Sequence, residues 1–109
     1  MGMNATNENN FDSIVLGAHV PVLLDVYADW CPPCRRMMPV VEQLATDLHG
    51  RAVVAKLDIE ANQALAKRLG IDSLPTFIVF DQGKEVRRMV GMQTRDTLIS
   101  SVSPTNSVG

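Results

Sequence analysis

VLLDVYADWCPPCRRMMP, residues 22–39, decides the fold of this chain and holds both of its cysteines. Its first seven residues are nearly all apolar and rich in strand-forming types, which is typical of a strand buried on both faces of a sheet. After Pro33, apolar residues recur at helical spacing until Gly50 stops the pattern. The stretch therefore predicts a strand and then a helix, with Cys31 and Cys34 at the junction between them.

The rest of the chain also alternates between strand-like and helix-like segments, with turn signals between them. A strand, a helix and a strand in succession imply a parallel, right-handed crossover, and the turn DQGK implies a hairpin. The sequence thus predicts an α/β fold made of a βαβ unit followed by a ββα unit. The predicted elements are a helix (11–17), a strand (22–28), a helix kinked at Pro39 (33–49), a strand (52–59), a helix (62–70), a hairpin (76–80 and 85–91) and a helix (94–102).

Composition limits the possible functions. A chain of 109 residues with 46% hydrophobic and 20% charged residues fits one small domain with a real core. The net charge of -2 and the absence of a block of like charges predict no nucleic-acid partner and no anionic membrane partner. No apolar run reaches the length of about eighteen residues that a spanning helix needs, and MGMNATNENN lacks the features of a signal peptide. We therefore expect a cytoplasmic protein with a polar, loose segment (1–10), one domain (11–102) and a flexible tail (103–109).

The cysteine pair follows a predicted strand, where sites form in open α/β sheets. Two cysteines are too few for a disulfide scaffold. A thiol at the start of a helix has a lowered pKa, because the helix dipole and free N–H groups stabilise its thiolate. Cys31 is then the reactive thiol, and Cys34 is close enough to resolve a mixed disulfide formed at Cys31. Pro32 and Pro33 suit the start of a helix and stiffen the loop.

A zinc site is the alternative interpretation of this pair, because structural zinc also uses Cys-x-x-Cys. Such a site needs four ligands, and only His19 and His49 remain in the chain. Along a helix, His49 would lie about 22 Å from Cys34. We therefore expect no metal, and both histidines are interpreted as surface residues.

DVYADWCPPC, followed by SLPTF and then VG, resembles the thioredoxin family in its segments and in their order, from Phe11 to about Val102. The resemblance implies the thioredoxin fold, with a central mixed sheet of four to five strands flanked by helices. It also implies protein-disulfide reductase activity. By matching position, Cys31 resembles the attacking cysteine and Cys34 the resolving cysteine of a redox disulfide.

Asp25 interrupts the apolar strand. An ionised carboxylate buried there is costly, so its pKa should be raised, which suits a group that accepts the proton of Cys34. The alternative is that Asp25 lies in water at the edge of the strand. Lys56 matches the lysine that the family places near this carboxyl, although the residues alone would make it a surface lysine.

The resemblance also implies a shallow apolar groove for extended segments of partner proteins. Leu74-Pro75 would be expected in the trans form from general frequencies, whereas the resemblance implies a cis proline facing the cysteines. Met92 taken alone could equally be a core residue. The residues expected to form the groove are Trp30, Pro32, Pro33, Leu74, Pro75, Thr76, Gly91 and Met92.

The chain departs from the family in two places. Pro32 stands where glycine is usual, which removes an N–H donor to the Cys31 thiolate and favours a more reducing couple. A Pro-Pro loop also resembles that of exported, membrane-tethered reductases serving cytochrome maturation, which is the alternative function. GMNATN is poor in strand formers, so the first strand of the sheet is expected to be weak or missing.

The function expected from these residues is that of a redox carrier. The chain would bind no cofactor and would be recharged by a thioredoxin reductase, a flavoprotein that uses NADPH if the family pattern holds. Its partners would be that reductase and disulfide-containing protein substrates, and the chain itself would be a monomer. A third possibility is a binding module that uses the fold as a subunit or chaperone; the intact cysteine pair and Asp25 argue against it.

Overall fold

The computed structural model describes residues 3–103, which form a five-stranded mixed sheet with helices on both faces. The strand order is β1-β3-β2-β4-β5; β1, β3 and β2 are parallel, whereas β4 and β5 run antiparallel to their neighbours. This confirms the predicted mixed α/β sheet. The elements are β1 (Asn4–Thr6), a π-helical segment (Asp12–Leu16), β2 (Val22–Tyr27), α1 (Pro32–Asp47), β3 (Val53–Asp58), α2 (Gln63–Arg68), β4 (Thr76–Asp81), β5 (Lys84–Val90) and α3 (Arg95–Val102).

Strand β2 is the middle strand of the sheet, and both of its faces are buried. Leu23 contributes to the core on the face covered by α1 and α3, where it packs with Leu44 and Leu98. Leu24 and Val26 contribute to the second core on the opposite face, together with the π-helical segment and α2. Side chains alternate between the two faces of a strand, so Asp25 belongs to the face that α1 covers.

The first strand is present, although it was expected to be weak or missing. Asn4–Thr6 pairs in parallel with residues 55–57 at one edge of the sheet. The Thr6 hydroxyl donates a hydrogen bond of 2.8 Å to the Lys56 carbonyl, and the N–H groups of Asn9 and Asn10 donate to the Asn7 side chain. The described part of segment 1–10 is therefore not loose, because pairing with a buried strand outweighs weak strand propensity. The predicted tail lies outside the described residues, except for Ser103.

Helix α2 receives its N-terminal cap from this same segment. The Leu65 N–H donates to the Glu8 carboxylate at 3.3 Å, and the Glu8 N–H donates to the Asn62 side chain at 3.2 Å. A carboxylate at this end of a helix satisfies a free N–H group and interacts favourably with the helix dipole. The polar N-terminal residues thus hold α2 against the sheet across more than fifty residues of sequence.

Candidate active site

The cysteine pair lies where β2 passes into α1. Cys31 is the N-cap residue of α1, and its N–H donates to the Ala28 carbonyl at 3.2 Å. Cys31 and Cys34 form a disulfide with their Cα atoms 5.2 Å apart. Cys31 is 4% exposed and Cys34 is 1% exposed. Both sulfurs are thus buried, with Cys31 slightly more exposed, and the order of attack stays a prediction.

One backbone donor reaches the Cys31 sulfur. The Cys34 N–H lies 3.3 Å from Cys31 Sγ and donates to it. Pro32 and Pro33 occupy the first two positions of α1, and neither has an N–H group. The thiolate of reduced Cys31 is thus stabilised by the helix dipole and by the bond from Cys34.

Asp25 is buried beneath α1, at 1% exposure. Lys56 on β3 and Phe77 on β4 are its partners in the strand register. Neither of its carboxyl oxygens has a hydrogen-bond partner among residues 3–103. Burial raises the pKa of Asp25 to about 7, and the charge of Lys56 opposes this rise without overcoming it. The alternative that Asp25 lies in water at the strand edge is therefore wrong.

Lys56 is half-buried, not a fully exposed surface residue. Its Nζ atom lies 6.0 Å from the centre of the Tyr27 ring. The structure thus places Lys56 beside Asp25, where its charge lowers the pKa of the carboxyl. Its role in the reaction remains a prediction.

Several of the expected groove residues contact one another or the cysteine pair. The Leu74-Pro75 bond is cis, as the resemblance implied. Leu74 packs against Ala28 and the two cysteines, and the Gly91 N–H donates to the Pro75 carbonyl at 2.8 Å. These contacts join the end of β5 to the proline and the proline loop to the disulfide.

Two of the residues expected to form the groove face the solvent: Trp30 is 61% exposed and Met92 is 51% exposed. The alternative that Met92 belongs to the core is wrong. Pro32 is exposed and Pro33 is half-buried, whereas Pro75 and Thr76 are buried. Only part of the expected set is therefore open to a partner; Thr76 instead donates to the Ser73 carbonyl at 2.6 Å.

Two residues near the cysteine pair, Glu60 and Tyr27, were not predicted from the sequence. The Trp30 indole N–H donates to the Glu60 carboxylate at 2.9 Å, which fixes the exposed ring. Tyr27 lines a cavity of about 300 Å³ together with Cys34, Asp29 and Arg35. Both residues stand at or just beyond the carboxyl end of a strand, and this position was the signal that could have identified them.

Within residues 3–103, no group of three or more His, Cys, Asp or Glu side chains lies close enough together to hold a metal ion. Both cysteines are already bonded to each other. In the same part of the chain, no helix combines the length and the apolar character needed to cross a membrane.

A disulfide at the start of a helix, beside a cis proline and above a buried carboxyl, defines a thiol–disulfide oxidoreductase. Comparison with known proteins agrees with this class, because the thioredoxin family model matches residues 2–104. The thioredoxin of Chlamydia muridarum is 43% identical over 98 residues, which are 89% of this chain and 92% of that protein. A mutant thioredoxin from Halobacterium salinarum NRC-1 superposes with a TM-score of 0.84 at 36% identity, covering 98% of this chain and 92% of the other.

The chain belongs to the thioredoxin family. It is a protein-disulfide reductase that acts by dithiol–disulfide exchange through Cys31 and Cys34. Neither the structure nor the comparisons favour the specialised reductase for exported partners. A further relative, from Mycobacterium leprae, is named a bifunctional thioredoxin reductase/thioredoxin; it is 37% identical over 94 residues, which are 86% of this chain and 20% of that protein.

Proposed function

We propose that the chain is a general cytoplasmic carrier of reducing equivalents, working as a monomer on disulfide-containing proteins. The observation that carries this proposal is the disulfide at the start of α1, where Cys31 is the N-cap residue and is slightly more exposed than Cys34. A carrier of this kind contributes to electron transport and to the redox homeostasis of the cell. It needs no bound cofactor, because the cysteine pair itself holds the two electrons.

Exchange takes place in two steps. The Cys31 thiolate attacks one sulfur of the substrate disulfide, forms a mixed disulfide with it and releases the other substrate sulfur as a thiolate. Cys34 then loses its proton and attacks Cys31 Sγ, which releases the second substrate thiolate and leaves the Cys31–Cys34 disulfide. Two electrons thus pass from the cysteine pair to the substrate.

Asp25 is proposed to accept the proton of Cys34 in the second step. A base is most useful when its pKa is near the working pH, and burial raises the pKa of Asp25 to about 7. The carboxyl also has both oxygens free of hydrogen bonds to the described residues, so nothing there competes for the proton. The positive charge of Lys56 lowers the pKa of this carboxyl.

The groove is proposed to hold an extended segment of the substrate beside Cys31. Trp30, Pro32, Leu74, Gly91 and Met92 offer apolar contact at its surface. The half-buried Pro33 and the buried Pro75 and Thr76 shape its floor. Backbone pairing gives affinity with little demand on the substrate sequence, which suits a carrier with many partners.

The electron donor is proposed to be a flavoprotein thioredoxin reductase that uses NADPH. The Mycobacterium leprae relative supports such a partner, because its name joins a thioredoxin reductase and a thioredoxin in one protein. The reductase would return the Cys31–Cys34 disulfide to the dithiol after each turnover.

Consumption of NADPH tests this proposal, with a purified bacterial thioredoxin reductase and a protein substrate that has an accessible disulfide. The wild-type chain should sustain turnover, Cys31→Ser should abolish it, and Cys34→Ser should stop after one mixed disulfide per chain. In a parallel assay, dithiothreitol replaces the reductase, which tests the reduction of the substrate separately from the reductase. Turnover with dithiothreitol but not with the reductase would contradict the proposed reductase partner and leave the redox function standing. Substrate reduction by the double variant Cys31→Ser/Cys34→Ser would contradict the redox function.

A further inference from the structure

Tyr27 lies next to the two charged groups of the site without taking part in the exchange. It is the last residue of β2, two residues after Asp25, so both side chains leave the same face of the sheet. Lys56 is the register partner of Asp25 on the neighbouring strand. The Lys56 ammonium lies over the Tyr27 ring at 6.0 Å from its centre, which is the range in which the ring face attracts a cation.

The ring is the contact that fixes the Lys56 ammonium. Among residues 3–103, no carboxylate forms an ion pair with it and no hydrogen bond to it is made. A lysine side chain has four flexible carbon atoms and loses much conformational freedom when it is held in one place. Without a partner, the ammonium would therefore spread into solvent, and its mean distance from Asp25 would increase.

We propose that Tyr27 is a positioning residue whose ring holds the Lys56 ammonium close to the buried carboxyl of Asp25. The consequence for the reaction rests on the proposed function, in which Asp25 accepts the proton of Cys34. Tyr27 acts through Lys56 in this role, although it also packs against the cluster of Ala28, Cys31 and Cys34. The ring matters and the hydroxyl does not, because the attraction comes from the ring face.

Other charged groups face this cluster from the surrounding elements. Burial is the largest cause of a raised pKa at the Tyr27 phenol, and the charges of Asp58 on β3, Asp29 after β2 and Asp25 itself add to the rise. Tyr27 is therefore uncharged wherever Asp25 titrates, and it cannot act on the carboxyl by its own charge. Helix α1 contributes Arg35 and Glu42 to the cavity that Tyr27 lines. Strand β4 offers the uncharged Phe77 opposite Asp25.

The experiment is a pH titration of the oxidised full chain labelled with ¹³C at aspartate carboxyl carbons, followed by NMR. Four variants are compared with wild type: Tyr27→Phe, Tyr27→Leu, Lys56→Met and the double variant Tyr27→Leu/Lys56→Met. Tyr27→Phe keeps the ring and should leave the pKa of Asp25 unchanged. Tyr27→Leu should raise the pKa of Asp25 by roughly half a unit. The free energy of a contact between a cation and a ring is smaller than the free energy that corresponds to a shift of one pKa unit.

The double variant decides the mechanism. If the ring acts through the ammonium, Tyr27→Leu should add no further rise once Lys56→Met is present. An equal rise in both backgrounds would mean that the ring acts by burying Asp25, and it would overturn the proposal. No rise in either background would overturn it as well. Tyr27→Met is a second variant without a ring, for use if Tyr27→Leu does not fold.

A second measurement separates this inference from the function on which it rests. The rate at which Cys34 resolves a mixed disulfide is followed against pH in wild type and in Tyr27→Leu. A shift of the rate profile by the same amount as the NMR titration supports both ideas. A shift in the titration with an unmoved rate profile would support the positioning of Lys56 and contradict the proton-accepting role of Asp25.

Discussion

Two carboxyl groups, one beneath α1 and one at its C-terminal end, lie in opposite environments. In β2, Asp25 is buried, lacks hydrogen-bond partners among the described residues and has a pKa raised to about 7. At the C-terminal end of the helix, Asp47 accepts hydrogen bonds from Gln43 at 3.0 Å and from Arg95 at 2.6 Å. These bonds, that from Gln43 first, lower the pKa of Asp47.

The two carboxyl groups differ because one has hydrogen-bond partners and the other has none among the described residues. A carboxylate at a helix C-terminus opposes the dipole, so Asp47 needs its partners, and the ion pair with Arg95 ties α1 to the start of α3. Among residues 3–103, Asp25 has no hydrogen-bond partner, which keeps its charged form costly. The carboxyl beneath α1 thus has a raised pKa, whereas the carboxylate at the far end of the helix helps to hold two helices together.

The largest expected effect is on the pH dependence of stability, and it tests the first half of this contrast. A carboxyl whose pKa is higher in the folded chain favours folding at low pH, and this contribution is lost as pH rises from the unfolded value of 3.8 to about 7. The free energy of unfolding should fall by about 4 kcal/mol between these limits because of Asp25 alone. In Asp25→Asn this fall should be absent.

Urea unfolding at a series of pH values from about 4 to 8 measures the difference between wild type and Asp25→Asn. Asp47→Asn is the matched control, because it also removes one carboxylate and should keep the fall. If wild type and Asp25→Asn lose stability in parallel, the carboxyl of Asp25 is not the group that titrates in this range.

A smaller effect is expected at the cysteines themselves. Pro32→Ala restores one N–H group at the start of α1, and that group can donate to the Cys31 thiolate. One charge-assisted hydrogen bond favours the reduced pair by about 1.4 kcal/mol, so the reduction potential should become less negative by roughly 30 mV.

Equilibration in glutathione buffers measures this potential. Pro32→Gly supplies the same N–H group with more backbone freedom, so the difference between the two variants separates the donor from the flexibility. A more negative potential in Pro32→Ala than in wild type would contradict the assigned effect of Pro32.

The smallest effect is expected at the other end of the helix. Asp47→Asn removes the ion pair with Arg95, which is partly exposed and therefore screened by salt. The loss of stability should be small, present above the pKa of Asp47 and lost as pH falls through it. Thermal unfolding in low and high salt measures it; a loss that does not shrink in high salt would point to packing and not to charge.

Most of the site could be predicted because it depends on local sequence. The apolar run around Asp25 fixed β2 as a buried strand, and a residue inside such a run has no access to water. The position of Cys31 at the start of α1 followed from helical periodicity. The cis form of Leu74-Pro75 came only from the family resemblance, since neighbouring residues do not distinguish it from a trans bond.

Contacts between distant segments could not be predicted. Strand β1 exists because β3 is beside it, and Glu8 caps α2 from 57 residues away. Tyr27 and Lys56 meet only after β2 and β3 pair in their observed register. These contacts depend on the tertiary structure, so the residues next to each of them in the sequence do not predict them.

The two outer strands affect how the protein behaves at high concentration. An unpaired strand edge can recruit another chain and begin aggregation. At one side of the sheet this edge is only three residues long, Asn4–Thr6. At the other side β5 is longer, but it carries Lys84, Glu85, Arg87 and Arg88. Shortness on one side and charge on the other should both disfavour association of chains through the edges of the sheet.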